Sequence, residues 1–418
     1  MEKQKLTKTE KSWILYDVAN SAFIMILTAT IPIYFRELAT QAGIDSAHAT
    51  SIWGTSTSLA ILILALLSPI LGALADYQNM KKRIFLFFLI LGIGGGVAFT
   101  IASDWLVFLV FLIVARIGYS ACNILYDAML IDITTDERMD KISSCGYALG
   151  YIGSCIPFVA GIILILMTPF GLTTIAATRI SFIITMLWWF LLTIPLLKNV
   201  KQTHYLKPKK HTIRHSFRRL WVTFLKLKRD RRILYYIIGY FFYIDGVYTI
   251  ISMATTYGGE VGIDSTHMIL ALLLTQIVAF PCALFSSGLA SKFGTLRIIK
   301  IYIVCYCCIC LFGFNLSTVT EFWILAVAVG MCQGGIQALS RSYFGKLIPK
   351  KEASEYFGFF DIFGKFADFL GPLILSLCAL IFNSSKYGVL ALIILFIIGF
   401  ILISKSEKIA NPEEKNHG

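Results

Sequence analysis

Apolar residues in this chain do not alternate with polar ones. They run in unbroken blocks from Trp13 to Ser404, separated by short polar turns. Blocks of roughly 20 residues are long enough to cross a hydrocarbon core of about 30 Å as a helix rising about 1.5 Å per residue. The pattern predicts twelve spans, near 13–36, 50–75, 83–102, 105–131, 142–168, 178–197, 233–257, 266–291, 297–316, 321–346, 356–382 and 387–404. Six precede one long polar stretch and six follow it. The expected organisation is therefore an all-α polytopic membrane protein: an N-terminal six-helix bundle over 1–197, a linker over 198–232, a C-terminal six-helix bundle over 233–404 and a tail over 405–418.

Composition agrees with the pattern and removes the other classes. Of 418 residues, 57% are hydrophobic and only 15% charged, where soluble domains carry about 25% charged residues. A soluble enzyme, a secreted disulfide scaffold and a disordered chain are excluded. The ten cysteines lie in or beside apolar segments, including the run Cys305–Cys310, and none has zinc-finger spacing. They read as small packing residues. The six histidines (48, 204, 211, 215, 267 and 417) read as loop or tail residues, so no metal site and no cofactor is expected. The basic N-terminus precedes an apolar stretch too long for a signal peptide and interrupted by Asp17 and Asn20, so it reads as a true first span. Trp13, Trp53, Trp105, Trp221 and Trp323 fall near predicted span ends, as an interfacial belt requires.

Charge sets the expected orientation. Net charge is +13, and residues 198–232 hold thirteen Lys/Arg against one acid, Asp230. With the N-terminus cytoplasmic, 31 Lys/Arg fall inside, and only Arg36, Arg179 and Lys386 fall outside. Positive residues concentrate on the cytoplasmic side of membrane proteins, so both termini and the linker are expected there. In a prokaryotic cell the membrane would be the inner one. The linker then faces anionic lipid, with one amphipathic helix along Phe217–Leu227 on the membrane surface. Nucleic acid is not an expected partner, because the excess charge sits in this one inter-helix loop.

The two halves share features. Gly72-Ala-Leu-Ala-Asp76 ends span two, and Gly288-Leu-Ala-Ser-Lys292 ends span eight. Tyr16-Asp17 opens one half and Tyr243-Ile-Asp245 the other, while Gly146 and Gly358 correspond at an offset of 212. Parallel repeats of this kind occur in secondary transporters.

The segment Gly72-Ala-Leu-Ala-Asp76-Tyr-Gln-Asn79-Met80-Lys81-Lys82-Arg83 resembles the loop 2–3 signature of the major facilitator superfamily. Asn79 stands where that signature has a turn glycine, a substitution Asn tolerates because it accepts a left-handed backbone. Arg116 followed by Gly118 resembles the superfamily's span-four motif, with Ser120 in place of its second glycine. Tyr16–Phe23, Gly146–Gly153, Tyr243–Val247, Gly334–Ser342 and Phe357–Lys365 resemble a narrower group, the unknown-major-facilitator family that includes the fungal autophagy-related vacuolar amino-acid effluxers. This resemblance implies the major facilitator fold of two pseudo-symmetric six-helix bundles. It implies a central cavity lined by the first and fourth helix of each half, and export of neutral or aliphatic amino acids. By analogy with the signature, Gly72, Asp76, Lys81, Lys82 and Arg83 form a cytoplasmic gate.

A charge near the bilayer centre costs at least about 2.5–3.5 kcal/mol on insertion scales. The chain keeps several. Asp17, Arg116, Asp127, Asp245 and Arg341 fall on the cavity-lining helices that the resemblance implies. Asn20, Asn123 and Gln337 join them as polar neighbours. Asp361, Lys365 and Asp368 share a face of span eleven with Gly358 and Pro372. Two readings follow from the residues: a path for solute or protons, or fixed ion pairs holding helices together. The recurrence of Asp17 and Asp245 favours the path for those two, and a latch at the cytoplasmic end is the alternative for Arg341. No phosphate-binding loop, hydrolase elbow or zinc-protease motif occurs. The expected function is secondary transport of a small polar solute, coupled to protons and not enzymatic. The alternative is a non-transporting receptor on the same scaffold.

Overall fold

The computed structural model describes residues 5–207, 212–366, 370–382 and 384–410. In chain order its helices are α1 Lys8–Ala29, α2 Ile31–Gln41, α3 Ser46–Ala75, α4 Met80–Ile101, α5 Trp105–Ile133, α6 Asp136–Met167, α7 Thr174–Asn199, α8 Thr212–Arg229, α9 Arg231–Glu260, α10 Ser265–Phe293, α11 Thr295–Phe314, α12 Val319–Leu347, α13 Ala353–Phe366, α14 Leu370–Phe382 and α15 Lys386–Ala410. Twelve helical stretches among the described residues are long and apolar enough to cross a membrane, α13 and α14 counting together as one. No strand occurs among them. The single β-bridge joins Tyr77 to Leu206.

The first predicted span, 13–36, is two helices. Pro32 lacks an amide hydrogen and is tolerated in a helix's first turn but not in its interior. α1 therefore ends at Ala29, and α2 restarts after Thr30 with the proline in its first turn. At its other end α1 carries a reciprocal cap, with Thr7 bonding the Glu10 amide and Glu10 bonding the Thr7 amide. Asn79, just before α4, has φ 62° and ψ 7°, the left-handed conformation expected where the motif has glycine.

The chain forms two compact units. One comprises Met1–Thr134, Leu149–Thr212 and Lys350–Gly358; the other comprises Thr135–Ala148, Ile213–Pro349 and Phe359–Gly418. Each unit thus takes one short segment from the opposite half of the sequence. In the first, α1 packs on α7 and α4 on α5. In the second, α9 packs on α15 and α10 on α12.

Two readings of the sequence need correction. Trp13 is not an interfacial anchor. It is fully buried, stacks on Tyr126 at 4.3 Å and donates its indole N–H to the Tyr126 carbonyl at 2.9 Å. His48, His215 and His267 lie in helices α3, α8 and α10, not in loops. Composition alone places a Trp near a span end and a His in a polar run, but burial depends on which helix packs beside it.

Candidate functional site

In the first unit the polar residues of α1 and α5 meet. Asn20 donates to the Asn123 side-chain oxygen at 3.1 Å, and the Tyr16 hydroxyl reaches the same oxygen at 3.5 Å. Asp17 lies one turn before Ser21 and is buried. Arg116, half-buried on α5, donates to the Thr57 hydroxyl of α3 at 3.1 Å. Asp127 is half-buried one turn beyond Asn123. On α5, Arg116, Asn123 and Asp127 are spaced seven and four residues apart and so share a face, and Asn20 of α1 meets that face at Asn123.

At one end of the same unit lies the loop between α3 and α4. Asp76 is 1% exposed, and its carboxylate accepts the backbone N–H groups of Ser354 (2.8 Å) and Glu355 (3.2 Å) at the start of α13. A helix N-terminus offers unpaired N–H groups and partial positive charge, so a carboxylate is the natural partner. Gly72, one turn earlier, permits the approach. A Cβ there would lie 2.1 Å from the Ser354 carbonyl oxygen. Lys81 is buried and binds Asp132 of α5 at 2.7 Å and the Ala128 carbonyl at 3.3 Å. Asp132 also accepts the amides of Thr203 (3.0 Å) and His204 (2.9 Å). Lys82 bonds the Val200 carbonyl at 3.0 Å, while Arg83 is exposed. Leu206 exchanges backbone bonds with Asp76 and Gln78. The first residues of the linker are therefore strapped to this loop.

The second unit holds a comparable dock of opposite polarity. Here the acid sits on the segment that comes from the other half. Asp140 of α6 accepts Ser342 Oγ at 2.6 Å, Thr295 Oγ1 at 2.7 Å and Lys346 Nζ at 2.7 Å. Beside it, Arg341 is 4% exposed and donates through Nε to Ser143 Oγ (2.9 Å) and through Nη2 to the Ser143 carbonyl (3.1 Å). Its guanidinium lies 4.3 Å from the centroid of the Tyr147 ring. This is a latch geometry for Arg341. Gln337 is half-buried one turn before it.

Deeper in this unit Asp245 is fully buried, and both its oxygens accept the Gly371 amide of α14, at 3.0 and 3.1 Å. Gly371 backs directly onto Thr249, one turn from Asp245. A Cβ on it would lie 1.8 Å from Thr249 Oγ1. Asp361 and Lys365 form an ion pair along α13. Asp368 lies outside the described residues. Among the described residues no group of three His, Cys, Asp or Glu is arranged to hold a metal.

Reading the sequence singled out Asp76 and Lys81 but missed Asp132, Asp140 and Ser143. Asp132 and Asp140 lie at the ends of spans, where orientation counts that weigh only Lys and Arg pass over acids, and Ser143 carries no charge to count. Asp132 and Lys81 are both about 1–2% exposed. Removing one member of such a pair leaves the other buried and uncompensated, a loss of about 3–5 kcal/mol. Lys81→Met is therefore expected to lower the thermal unfolding temperature sharply in detergent. The double variant Lys81→Met/Asp132→Asn should recover much of that loss. No recovery would mean that the two do not act as a pair.

The family described as "Vacuole effluxer Atg22 like" matches residues 6–137 and 132–408. An uncharacterized MFS-type transporter of Bacillus subtilis, YxiO, is 42% identical over 407 residues, covering 96% of this chain and 95% of that protein. Autophagy-related protein 22 of Kluyveromyces lactis is 25% identical over 361 residues, covering 77% of this chain and 72% of its own length. Among solved structures, the major facilitator superfamily transporter FucP in its outward conformation superposes with a TM-score of 0.74 at 14% identity, over 96% of this chain and 97% of that one. The human organic anion transporter MFSD10 superposes with a TM-score of 0.71 at 12% identity, over 95% and 99%. Twelve apolar helices, the acid-centred loop after the second span and a family match along nearly the whole length lead to one conclusion: this chain belongs to the Atg22-like family of the major facilitator superfamily, and it is an integral multi-pass membrane transporter, not an enzyme.

Proposed function

We propose that this transporter is a secondary carrier that moves a small polar solute by alternating access and takes its driving force from protons, with neutral amino acids as its solute class. The observation that carries the reading is the pair of polar docks. In each unit a short helical segment from the opposite half of the sequence is held by a buried carboxylate, Asp76 in one and Asp140 in the other. A contact made of a few charge-assisted hydrogen bonds can break and re-form without stripping a large apolar surface, as a cyclic carrier requires. The amino-acid assignment rests on family likeness, and the polar side chains of Asp17, Asn20, Asn123 and Arg116 suit a zwitterion. Asp127, Gln337, Asp361, Lys365 and Asp368 are further candidates for the path.

Thermal-shift screening of the purified protein against amino acids, followed by flux of the best binder into proteoliposomes, tests the class. Stabilisation by no amino acid would sink it. Coupling is tested at Asp17. Asp17→Asn is expected to keep solute exchange and to lose accumulation driven by a pH gradient, because a carboxylate whose surroundings change between the two openings can take up and release a proton. Undiminished pH-driven accumulation would move the coupling role elsewhere.

The proposed orientation puts both termini and the linker in the cytoplasm. α8 supports this. Trp221, Phe224 and Leu225 are exposed on it, with Lys226, Lys228 and Arg229 alongside. That arrangement suits a helix lying on an anionic leaflet. Lys207→Cys is expected to react with a membrane-impermeant maleimide in inside-out vesicles and not in intact cells. Labelling from outside intact cells would reverse the assignment.

A further inference from the structure

In the first unit the start of α4, the end of α7 and the first residues of the linker bring basic side chains together. Lys82, in the first turn of α4, is half-buried and donates to the Val200 carbonyl at the end of α7 at 3.0 Å. Lys201 follows Val200 and stands close enough to Lys82 to repel it. Arg83 and Lys198, on the same two helix ends, are exposed. Among the described residues no carboxylate pairs with any of these four. Asp132 lines the same small cavity as Lys82, but Lys81 and the amides of Thr203 and His204 take it. An ammonium group has three N–H donors. The Val200 carbonyl takes one from Lys82, and two are left. The carbonyl end of α7 offsets part of the repulsion, but it gives Lys201 no hydrogen bond. Two like charges held side by side without an acid call for an anion between them.

Their place in the chain says which anion. Lys82 lies in the first turn of one membrane span and Lys198 in the last turn of another, at the level where lipid headgroups present phosphate to basic side chains. We propose that Lys82 and Lys201, flanked by Arg83 and Lys198, bind the phosphate of an anionic lipid headgroup, and that this lipid steadies the linker on the loop that carries Asp76. The loop and the linker already pair. The Leu206 amide donates to the Asp76 carbonyl at 2.8 Å, the Gln78 amide to the Leu206 carbonyl at 3.1 Å, and Gln202 Nε2 to the Ala75 carbonyl at 3.0 Å. Lys82 is six residues after Asp76, and Lys201 is five before Leu206. A phosphate held by both lysines ties together the two segments of that pairing, and through it the loop whose carboxylate docks α13. The proposal rests on the lipid-facing reading of the linker, places a defined site at α4 and α7 instead of on α8, and is independent of the solute carried.

The test measures amide hydrogen exchange of the full-length protein in nanodiscs of phosphatidylcholine, with and without phosphatidylglycerol. The reporters are the Leu206 and Gln78 amides, whose acceptors lie across the pairing. In wild type, phosphatidylglycerol should slow their exchange about thirtyfold, about fivefold for each of the two lysines. Lys82→Gln/Lys201→Gln should lose that slowing, while its glutamine at 82 keeps a donor for the Val200 carbonyl. Lys201→Gln alone changes only an exposed side chain and should lose about fivefold of it. Lys226→Gln/Lys228→Gln removes the same charge from α8 and should keep the slowing. No slowing in wild type, or equal slowing in Lys82→Gln/Lys201→Gln, overturns the site. If the α8 variant alone loses the slowing, the site at α4 and α7 is overturned and the lipid-facing reading of the linker stands. Inorganic phosphate added to phosphatidylcholine nanodiscs should change nothing. Slowing by phosphate alone overturns the lipid as its source.

Discussion

Asp76→Ala is expected to cut solute flux by roughly a hundredfold while the protein still folds and inserts. The carboxylate receives two backbone N–H groups at the start of α13, buried at 1% exposure. Hydrogen bonds to a charged group contribute about 1.5–3 kcal/mol each. Losing one such contribution alone shifts an equilibrium about tenfold, and losing two shifts it about a hundredfold or more. Asp76→Ala also leaves the buried Ser354 and Glu355 amides without this acceptor, at about 1–3 kcal/mol each, so the unfolding temperature should fall while insertion, which hydropathy sets, stays near wild type. Asp76→Asn keeps an acceptor oxygen but loses the charge that complements the helix end, so it should fall between alanine and wild type. Gly72→Ala attacks the same contact from the other side, since its Cβ would occupy the space of the Ser354 carbonyl. Proteoliposome flux at matched protein amounts, with maleimide accessibility of Ser354→Cys, measures both effects. Normal flux in Asp76→Ala would remove this residue from the transport cycle.

Asp245 should behave differently, because its contact joins α9 to α14 within one half of the sequence and holds no segment from the opposite half. Asp245→Ala leaves the buried Gly371 amide without this acceptor and opens a hole beside Thr249. An unsatisfied buried donor costs about 1–3 kcal/mol, and the cavity adds to that. The expected result is a markedly lower unfolding temperature together with loss of transport. Gly371→Ala should be as damaging, since its backbone can keep its place against Thr249 only without a Cβ. Asp245→Asn separates structure from coupling. Its side-chain oxygen can still accept the Gly371 amide, so the fold should hold, but it can no longer titrate. If Asp245→Asn folds and keeps full pH-driven accumulation, Asp245 acts by holding α14 in place and carries no proton. An Asp245→Ala protein as stable as wild type would undo the structural role.

Much of the architecture follows from the sequence by itself, for a reason specific to this solvent. A lipid core admits only helices whose backbone groups are satisfied internally, and its thickness sets their length. Twelve apolar blocks therefore had to be twelve spans, and the loop glycine position occupied by Asn79 had to be left-handed. The division of the first span at Thr30 was not read from the apolar block 13–36, although Pro32 is the residue that causes it. The pairing of the polar residues was not legible in the sequence. Asp76 meets residues 278 and 279 positions away, Asp245 meets Gly371 at 126, and Lys81 meets Asp132 at 51. A carboxylate's sequence neighbourhood is compatible with many partners, and only the packing of helices selects one. The same holds for the reassignment of Thr135–Ala148 and Lys350–Gly358 to the units opposite their sequence halves. Hydropathy decided which segments enter the membrane, because that depends on composition alone. Tertiary structure decided which buried charge answers which helix end, because that depends on distances between segments that hydropathy cannot order.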